Sequence, residues 1–338
     1  MESLTKRQRK VLRCAVQSYI QTAVPVGSHY LVKTFPLDCS PATVRSELSN
    51  LEKMGYMHQP HVSSGRIPTD KGYRYYVNHL MRKSTIDEQS DQNIRSRMDS
   101  AEGDVKRVVV EASRILGQIS EELGVVLSPW LSWAVFDRLE LIGLSYGKVL
   151  VVIHVKNRMV KTMVLEVESD FNQEDLYRTA SVLNERLHDL TLEEIKHSIV
   201  RRVEDTQEIY RPLMRRLVES ASHLFNFSEP LDIHTCGTQN ILLQPEFSDM
   251  RLLESMFDLI DDRTELIQLF HRNIQKTQVT IGIENQDDRL VPFTVIKTVY
   301  RRGNDRGTLG VIGPTRMEYS RILPLVDHIA RTVSEYLS

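Results

Sequence analysis

The stretch SPATVRSELSNLEKMGYMHQPHVSSGRIPTDKGYRYYV, residues 40–77, decides the fold of the first part of the chain. Ser40 followed by Pro41 is a typical helix start, because the serine side chain accepts from a free backbone N–H and proline loses no needed bond at the first helical position. Apolar residues at helical spacing then line one face: Val44, Leu48 and Leu51. Gly55 suits the position just beyond a helix, so the sequence predicts a helix that ends shortly before it.

The second half of this stretch predicts a ribbon. Residues 56–60 and 67–69 are strand-like, and the segment between them contains the turn-like run Ser-Ser-Gly-Arg at 63–66. Prolines in both strands favour an edge ribbon over a central sheet. A further helix is expected from Asp70, and the ribbon is expected to carry Arg66 at its tip.

Two more helices are predicted before residue 40. Thr5 and Gln8 have the spacing of a capping box, and apolar residues follow on one helical face: Leu12, Ala15, Val16, Tyr19 and Ile20. Residues 24–27 end that helix, and Ser28 can cap a short second one. Three helices followed by a ribbon predict a winged helix-turn-helix, whose last helix enters the major groove of DNA.

Charge divides the chain at about residue 83. Residues 1–83 carry 13 lysines and arginines against five acidic residues, whereas the remainder carries 30 against 40. A basic head on an acidic body is typical of a module that binds a polyanion such as nucleic acid. An ordinary solvated face can show the same clustering, so charge alone leaves both interpretations open.

Composition indicates a globular protein of a reducing compartment. Hydrophobic residues make up 41% of the chain and charged residues 26%, which is ordinary for a globular domain. The sequence contains no run of 18 apolar residues, so no membrane span is predicted. The basic N-terminus has no apolar stretch behind it that could form a secretory signal. Cys14, Cys39 and Cys236 form no CxxC pair, which favours reduced thiols. We therefore expect a cytoplasmic location.

The pattern of the remaining residues is typical of an α+β fold. Residues 84–103 are polar and are interpreted as a linker. Helical and strand patterns then follow in this order: a helix over 105–123, strands over 139–145, 149–155 and 160–167, helical residues from 173 to about 227, a helix over 250–260, strands over 279–284, 293–300 and 307–312, and a helix over 319–337. Strands on both sides of a helical block suggest a domain that is split by an insertion.

Motifs for catalysis or cofactor binding are weak. GTLGVIG at 307–313 lacks GxGxxG spacing and is strand-like, so tight packing is favoured over a phosphate loop. His58 and His61 lie in the ribbon with no partner motif for a metal. His234 and Cys236 have no third residue to orient them for nucleophilic catalysis. We therefore predict no enzyme activity, no metal and no cofactor.

Six stretches closely resemble the bacterial heat-inducible transcription repressors of the HrcA family. Three lie near the N-terminus: VPVGSHYLVKTF (24–35), SPATVRSELSNLEKMGY (40–56) and QPHVSSGRIPTDKGYRYYV (59–77). Three lie near the C-terminus: GTQNILLQPEFSD (237–249), VTIGIEN (279–285) and GTLGVIGPTRMEYSR (307–321). The resemblance thus spans nearly the whole chain, apart from a less distinctive middle.

This resemblance implies a repressor that binds, as a homodimer, an inverted repeat upstream of chaperone operons and that needs the chaperonin to stay active. It also implies a GAF-like α+β domain interrupted by a mainly helical dimerising insertion. The expected division is a winged-helix domain over 1–83, a linker over 84–103, a GAF-like domain over 104–167 and 236–338, and an inserted dimerisation domain over 168–235.

The same resemblance makes residues 40–53 the recognition helix and 63–66 the tip of the wing. Residues expected to contact bases are Thr43, Arg45, Ser46, Ser49 and Asn50. Residues expected to contact the DNA backbone are Lys6, Arg7, Ser40, Lys53 and Lys71. Residues expected in the minor groove are Ser64, Gly65 and Arg66.

Two other functions remain open at this point. A metabolite-responsive regulator would share the winged helix and sense a small ligand through the GAF-like body, so it predicts a pocket. An enzyme with a basic docking head would need titratable residues clustered in a cleft.

Overall fold

The computed structural model describes residues 4–130, 135–145, 147–156, 160–167, 171–204, 211–225, 233–271, 274–303 and 305–338. It divides the chain into two compact units. The first contains Met1–Ser128, Asp232–Arg301 and Gly307–Ser338, and the second contains Pro129–Leu231 and Arg302–Arg306. Within the first unit we call residues 4–83 the head and the remainder the body.

The head begins with three helices in the predicted places: α1 (Lys6–Thr22), α2 (Ser28–Thr34) and α3 (Pro41–Lys53). Thr5 and Gln8 form the predicted capping box at the start of α1, where the Gln8 backbone N–H donates to the threonine hydroxyl. The predicted apolar face of α3 is buried. Burial of these apolar stripes against one another stabilises the three-helix arrangement.

A two-stranded antiparallel ribbon follows, made of β1 (Met57–His58) and β2 (Ile67–Pro68). Helix α4 (Asp70–Tyr75) comes next and continues as one π-helical turn, Tyr76–Leu80. The helix from Asp70 is therefore confirmed. Thr69 caps it, because its hydroxyl accepts from the backbone N–H of Gly72.

The segment predicted as a linker is largely a helix. Residues 88–99 form α5 (Glu88–Asp99), whose Ile94 and Met98 side chains are buried, and α6 (Val105–Ser120) follows. The sequence prediction missed α5 because only two of its residues are strongly apolar, so the helical period is hard to recognise among polar neighbours. The head and body are thus joined by packed structure.

The body is built on a five-stranded sheet in the order β7-β3-β10-β9-β8. Its strands, numbered along the whole chain, are β3 (Leu123–Trp130), β7 (Ile233–Cys236), β8 (Gln278–Ile281), β9 (Phe293–Arg302) and β10 (Asp305–Pro314). GTLGVIG lies in β10, as its strand-like pattern predicts. A Cβ atom at Gly310 would lie 1.9 Å from the carbonyl oxygen of Ile296, so this glycine allows close strand packing.

Helices complete the body. They are α11 (Thr238–Leu242), α12 (Met250–Asp261), α13 (Arg263–His271) and the C-terminal α14 (Tyr319–Tyr336), with 3-10 turns at Pro245–Ser248, Gly282–Asn285 and Asp288–Leu290. Helix α14 packs against α5 and α6. None of the helices in the described ranges is long and apolar enough to cross a membrane.

The second unit contains a three-stranded antiparallel sheet, β4 (Phe136–Ser145), β5 (Lys148–Val155) and β6 (Val160–Glu166). Four helices follow: α7 (Gln173–Leu187), α8 (Leu192–Val203), α9 (Arg211–Glu219) and α10 (Ala221–Leu224). One face of β5 is buried in a core with side chains from these helices, including Leu183 and Leu217. Residues 205–210 and 226–227 of the predicted helical stretch lie outside the described residues.

The expected domain boundaries need a correction here. Residues 129–167 were assigned to the GAF-like domain, but β4, β5 and β6 pair with one another and not with the five-stranded sheet. Strand periodicity gives the position of a strand but not its pairing partner. The inserted unit therefore begins at Pro129, about 40 residues before the predicted start at 168.

Candidate nucleic-acid interface

The start of α3 is held by a serine–threonine pair. The Ser40 hydroxyl accepts from the backbone N–H of Thr43 at 3.2 Å, and the two side-chain hydroxyls lie 3.0 Å apart. Ser40 is exposed and Thr43 is half-buried. Both residues therefore shape the start of α3, and they lie in its first turn, where DNA contact was predicted.

The outer face of α3 presents exposed polar and cationic side chains. Arg45 and Ser46 are exposed, whereas Ser49 and Asn50 are half-buried. The Arg45 guanidinium has no hydrogen-bond or ion-pair partner within the described part of the chain. An unpaired arginine and a small hydroxyl on one helix face are suited to base edges, since guanidinium donates in bidentate fashion to guanine. Lys53 is also exposed, in the last turn of α3.

Further cations lie at the start of α1, which packs against α3. Lys6 is exposed, and an Arg7 nitrogen lies 3.8 Å from a carboxylate oxygen of Glu47 on α3. Lys10, which the sequence prediction did not select, pairs with Asp38 at 3.1 Å. Exposed ion pairs are worth little, so a phosphate can replace the carboxylate at Arg7 or Lys10. The first turns of α1 therefore extend the cationic surface of α3.

The ribbon loop, residues 59–66, is held by its own hydrogen bonds. The Gln59 amide donates to the carbonyl oxygens of Val62 and Ser64 at 3.0 and 2.9 Å. The Ser64 hydroxyl accepts from the backbone N–H of His61 and donates to its carbonyl oxygen. Val62 is 99% exposed and stands at the tip with its neighbours His61 and Ser63. Ser64 therefore holds the loop together from within.

Arg66 does not stand at the tip, so that prediction is wrong. Its backbone pairs with Val26, with N–O distances of 2.9 and 3.0 Å, and its side chain donates to the Glu52 carboxylate of α3 at 2.9 Å. A Cβ atom at Gly65 would lie 2.5 Å from the backbone of Pro25, so only glycine fits there. The sequence missed these contacts because Pro25 and Glu52 lie far from the loop along the chain.

The exposed side chain of Lys71 folds back to cap the end of α3. Its ammonium donates to the carbonyl oxygen of Met54 at 2.7 Å and lies 4.5 Å from the centre of the Tyr56 ring. A cation at this position satisfies a free carbonyl at the C-terminus of α3 and interacts with the aromatic face. Its predicted contact with phosphate would compete with this cap or use the ammonium donors that Met54 does not occupy.

Metal binding, thiol reactivity and small-molecule binding are the other kinds of chemistry to consider. The described residues hold no group of three or more His, Cys, Asp or Glu side chains that could bind a metal ion. Burial raises the pKa of the Cys14 thiol, whose reactivity is thereby lowered. A cavity of about 330 Å³ in the body is lined by Ile233, His234, Thr235, Ile260, Arg263 and Leu266.

Comparison with known proteins agrees with the resemblance in the sequence. Residues 106–323 match the family model described as the HrcA protein C-terminal domain. A curated relative from Chlorobium phaeobacteroides, named heat-inducible transcription repressor HrcA, is 38% identical and aligns over 99% of each chain. A second with the same name, from Geobacter sulfurreducens, is 35% identical over 100% of this chain and 99% of its own.

A solved structure has the same overall fold. It is a crystal structure described as that of a hypothetical protein, with 23% sequence identity and a TM-score of 0.63 over 99% of both chains. At this identity the likeness concerns the fold alone.

Proposed function

The chain belongs to the HrcA family, whose curated relatives are named heat-inducible transcription repressors, and from this premise we propose that it represses chaperone operons by binding an inverted-repeat operator as a homodimer. The observation that carries the proposal is the outer face of α3, where Arg45 lies exposed next to Ser46 and has no partner in the described ranges. Cations of α1 adjoin this face, so that base readout and phosphate binding fall on one surface.

The head is a winged helix in this proposal, and α3 is its recognition helix. Arg45 and Ser46 contact base edges, with Thr43, Ser49 and Asn50 next to them on the helix. Lys6, Arg7, Ser40 and Lys53 contact phosphates and make the affinity dependent on salt. The tip of the ribbon loop, at Val62, approaches the minor groove.

The proposed dimer surface is the outer face of the three-stranded sheet. Ile142, Leu150 and Val164 lie opposite one another on adjacent strands, and their side chains point away from the buried face. Ile142 is 45% exposed and Val164 50% exposed, with Leu144 and Val160 similarly exposed near them. Since a contiguous apolar patch of this kind is typical of an interface, we assign it to a second copy of the chain.

Heat relieves repression through the body, which we propose to be GAF-like. Stabilities of about 5–15 kcal/mol let modest heating shift a folding or dimerisation equilibrium. The chaperonin keeps the repressor in its folded form. Unfolded proteins that accumulate in heat compete for the chaperonin, and repression is then lost.

The test is binding to a chaperone-operon inverted repeat and to a scrambled duplex, measured by anisotropy at two salt concentrations with and without chaperonin. We expect selective binding that weakens with salt and that chaperonin strengthens. Equal affinity for both duplexes would overturn operator recognition. An operator affinity that does not change across the heat-shock range, with or without chaperonin, would overturn the regulatory part alone.

The second candidate function is transcription regulation in response to a metabolite. The cavity of about 330 Å³ in the body favours this candidate. A pocket of this volume suits a small molecule. Leu266→Trp would fill the cavity and abolish any rise in melting temperature that a metabolite causes. If no metabolite raises the melting temperature of the unaltered chain, this candidate fails.

A further inference from the structure

Head and body share one hydrophobic core. Leu48 of α3, Tyr73 of α4, Ile281 of β8 and Tyr319 of α14 all belong to the same buried cluster. The rings of Tyr73 and Tyr319 lie 6.0 Å apart between their centres, and both side chains are buried. Continuous packing of this kind opposes free rotation of the head.

A bidentate ion pair lies at the edge of this shared core. The Arg74 Nε atom of α4 donates to a Glu284 carboxylate oxygen at 2.8 Å, and Nη2 donates to the other oxygen. The same Nη2 atom donates to the carbonyl oxygen of Val279 at 2.7 Å. Burial raises the pKa of Glu284, but hydrogen bonds from Arg74 and the Ile281 N–H outweigh it and leave this pKa below its ordinary value. The pair therefore stays ionised at neutral pH. Its two hydrogen bonds fix the orientation of the Arg74 guanidinium as well as its distance from the Glu284 carboxylate.

The first residue of α4 makes a second contact with the same part of the body. The Asp70 carboxylate accepts from the backbone N–H of Ile283 at 3.1 Å. Gly282 has a φ of +59°, and a Cβ atom there would lie 1.9 Å from an Asp70 oxygen. Only glycine permits this approach, because any side chain would collide with the carboxylate and would strain the backbone.

A third contact joins the body to a different helix of the head. Arg316 donates from Nη1 to the carbonyl oxygen of Ile20 at 2.7 Å, in the last turn of α1. Its other nitrogens bind Glu246, and the Arg316 side chain is 12% exposed. Attachment through both α1 and α4 prevents the hinge motion that a single contact would allow.

We infer that Arg74, Glu284, Asp70 and Gly282 are positioning residues for DNA recognition, which fix the orientation of the head on the body. They do not need to touch DNA. In a dimer they hold each recognition helix in one direction, so that the protein accepts one spacing between half-sites. This inference rests on the proposed function, because it requires two heads on an inverted repeat.

The experiment uses the full chain and two sets of duplexes. One is a single half-site, and the other is the inverted repeat with its spacer lengthened or shortened by one base pair at a time. Glu284→Ala and Gly282→Ala are compared with Glu254→Ala, which alters an exposed glutamate of α12. Circular dichroism and size-exclusion chromatography verify folding and dimerisation of each variant, and Glu284→Gln serves as a milder change of the same contact.

We expect half-site affinity within about twofold of the unaltered chain and a loss of tenfold or more on the native repeat. The preference for one spacer should flatten, and the exchange Arg74→Glu with Glu284→Arg should restore it in part. Equal losses on half-site and repeat, or an unchanged spacer preference in the folded variants, would overturn the inference. Failure of the unaltered chain to distinguish the repeat from scrambled DNA would instead overturn the proposed function, and the inference with it.

Discussion

The guanidinium of Arg66 donates a hydrogen bond of 2.9 Å to the carboxylate of Glu52, which ties the ribbon loop to the last turn of α3. The Arg66 side chain is 14% exposed and that of Glu52 is 31% exposed. A hydrogen bond between charged groups that are largely shielded from water is worth more than a surface ion pair. This contact therefore helps to hold the loop in position relative to α3.

Glu52→Gln tests whether the contact acts on DNA binding. Removal of an acid near DNA would by itself raise affinity, since one repulsive charge is lost. We expect affinity for the operator to fall several-fold instead, because the loop is no longer held, and the unfolding free energy to fall by about 1–2 kcal/mol. Operator anisotropy and urea unfolding measure the two effects.

A double-mutant cycle separates a holding role for Arg66 from a reading role. If Arg66 only holds the loop, Arg66→Ala adds little to the loss of operator affinity in the Glu52→Ala background. The difference between the two single variants is then the same for every flanking sequence, because it reflects only the charge that each removes. If Arg66 leaves Glu52 and enters the minor groove, Arg66→Ala costs more than Glu52→Ala, and the excess depends on the sequence next to the half-site. That second result would restore the role that the sequence suggested.

Arg45→Ala is expected to cost about 1–3 kcal/mol of operator binding and to relax preference at one base-pair position. The reason is that Arg45 is exposed on α3 and has no partner among the residues that the structure describes, so its donors are available to a base edge. Fluorescence anisotropy with each single-base operator variant measures the change in affinity and in base preference. Arg301→Ala on β9 is the control for the loss of an exposed arginine. The same loss on operator and random duplex would remove Arg45 from base readout.

Lys53 and Lys71 should behave differently although both are exposed lysines near the end of α3. Lys53→Ala is expected to lower the slope of log affinity against log salt by about 1, because one phosphate contact is lost. Lys71→Ala is expected to leave that slope unchanged and to lower the unfolding free energy by about 1 kcal/mol, because Lys71 caps α3 and lies over Tyr56. A slope change for Lys71→Ala of the same size would show that its cap opens on DNA.

The elements that depend on neighbouring residues could be predicted from the sequence. The capping box at Thr5, the start of α3 at Ser40 and the helix at Asp70 all rest on contacts within a few residues. The outer face of α3 was predictable for the same reason, because helical spacing places Arg45 and Ser46 outside the stripe that contains Val44 and Leu48. Interactions between residues that are close in sequence determine these features.

The rest depends on contacts between distant parts of the chain. The ring of Tyr56 beneath Lys71, the pairing of Arg66 with Val26 and the ion pair of Arg74 with Glu284 leave no periodic signal in the sequence. That β4 to β6 form a sheet of their own, and do not join the five-stranded sheet, likewise depends on tertiary structure, which is why the expected boundary of the insertion was misplaced.

Val164→Asp tests the proposed dimer surface. A charge at the centre of a buried apolar interface has no partner, so we expect the dimer dissociation constant to rise tenfold or more, which is about 1.4 kcal/mol. Val200→Asp makes the same change at a residue of α8 that is 60% exposed in the same unit, and it should leave the dimer intact. Sedimentation velocity over a range of concentrations measures both. Dissociation by Val200→Asp but not by Val164→Asp would move the interface to α8.

Glu122 is a buried acid in the body. One of its carboxylate oxygens is buried without a hydrogen-bond partner in the described structure. Burial raises the pKa of this carboxyl well above its ordinary value, an effect that Arg316 opposes. The folded state thus holds the proton more tightly than the unfolded state, in which the pKa is about 4.3.

The stability that this proton contributes is complete below the unfolded pKa and is lost as pH rises towards the folded pKa. We therefore expect the contribution of Glu122 to the unfolding free energy to decrease as pH rises above about 4.3. Glu122→Gln should remove this contribution to the pH dependence while matching or exceeding the unaltered chain at neutral pH. Urea unfolding from pH 4 to 8 measures it, with Glu121→Gln, an exposed neighbour, as the control. An unchanged pH dependence in Glu122→Gln would mean that Glu122 keeps the same protonation in both states, so that burial of the carboxyl has no proton-linked cost.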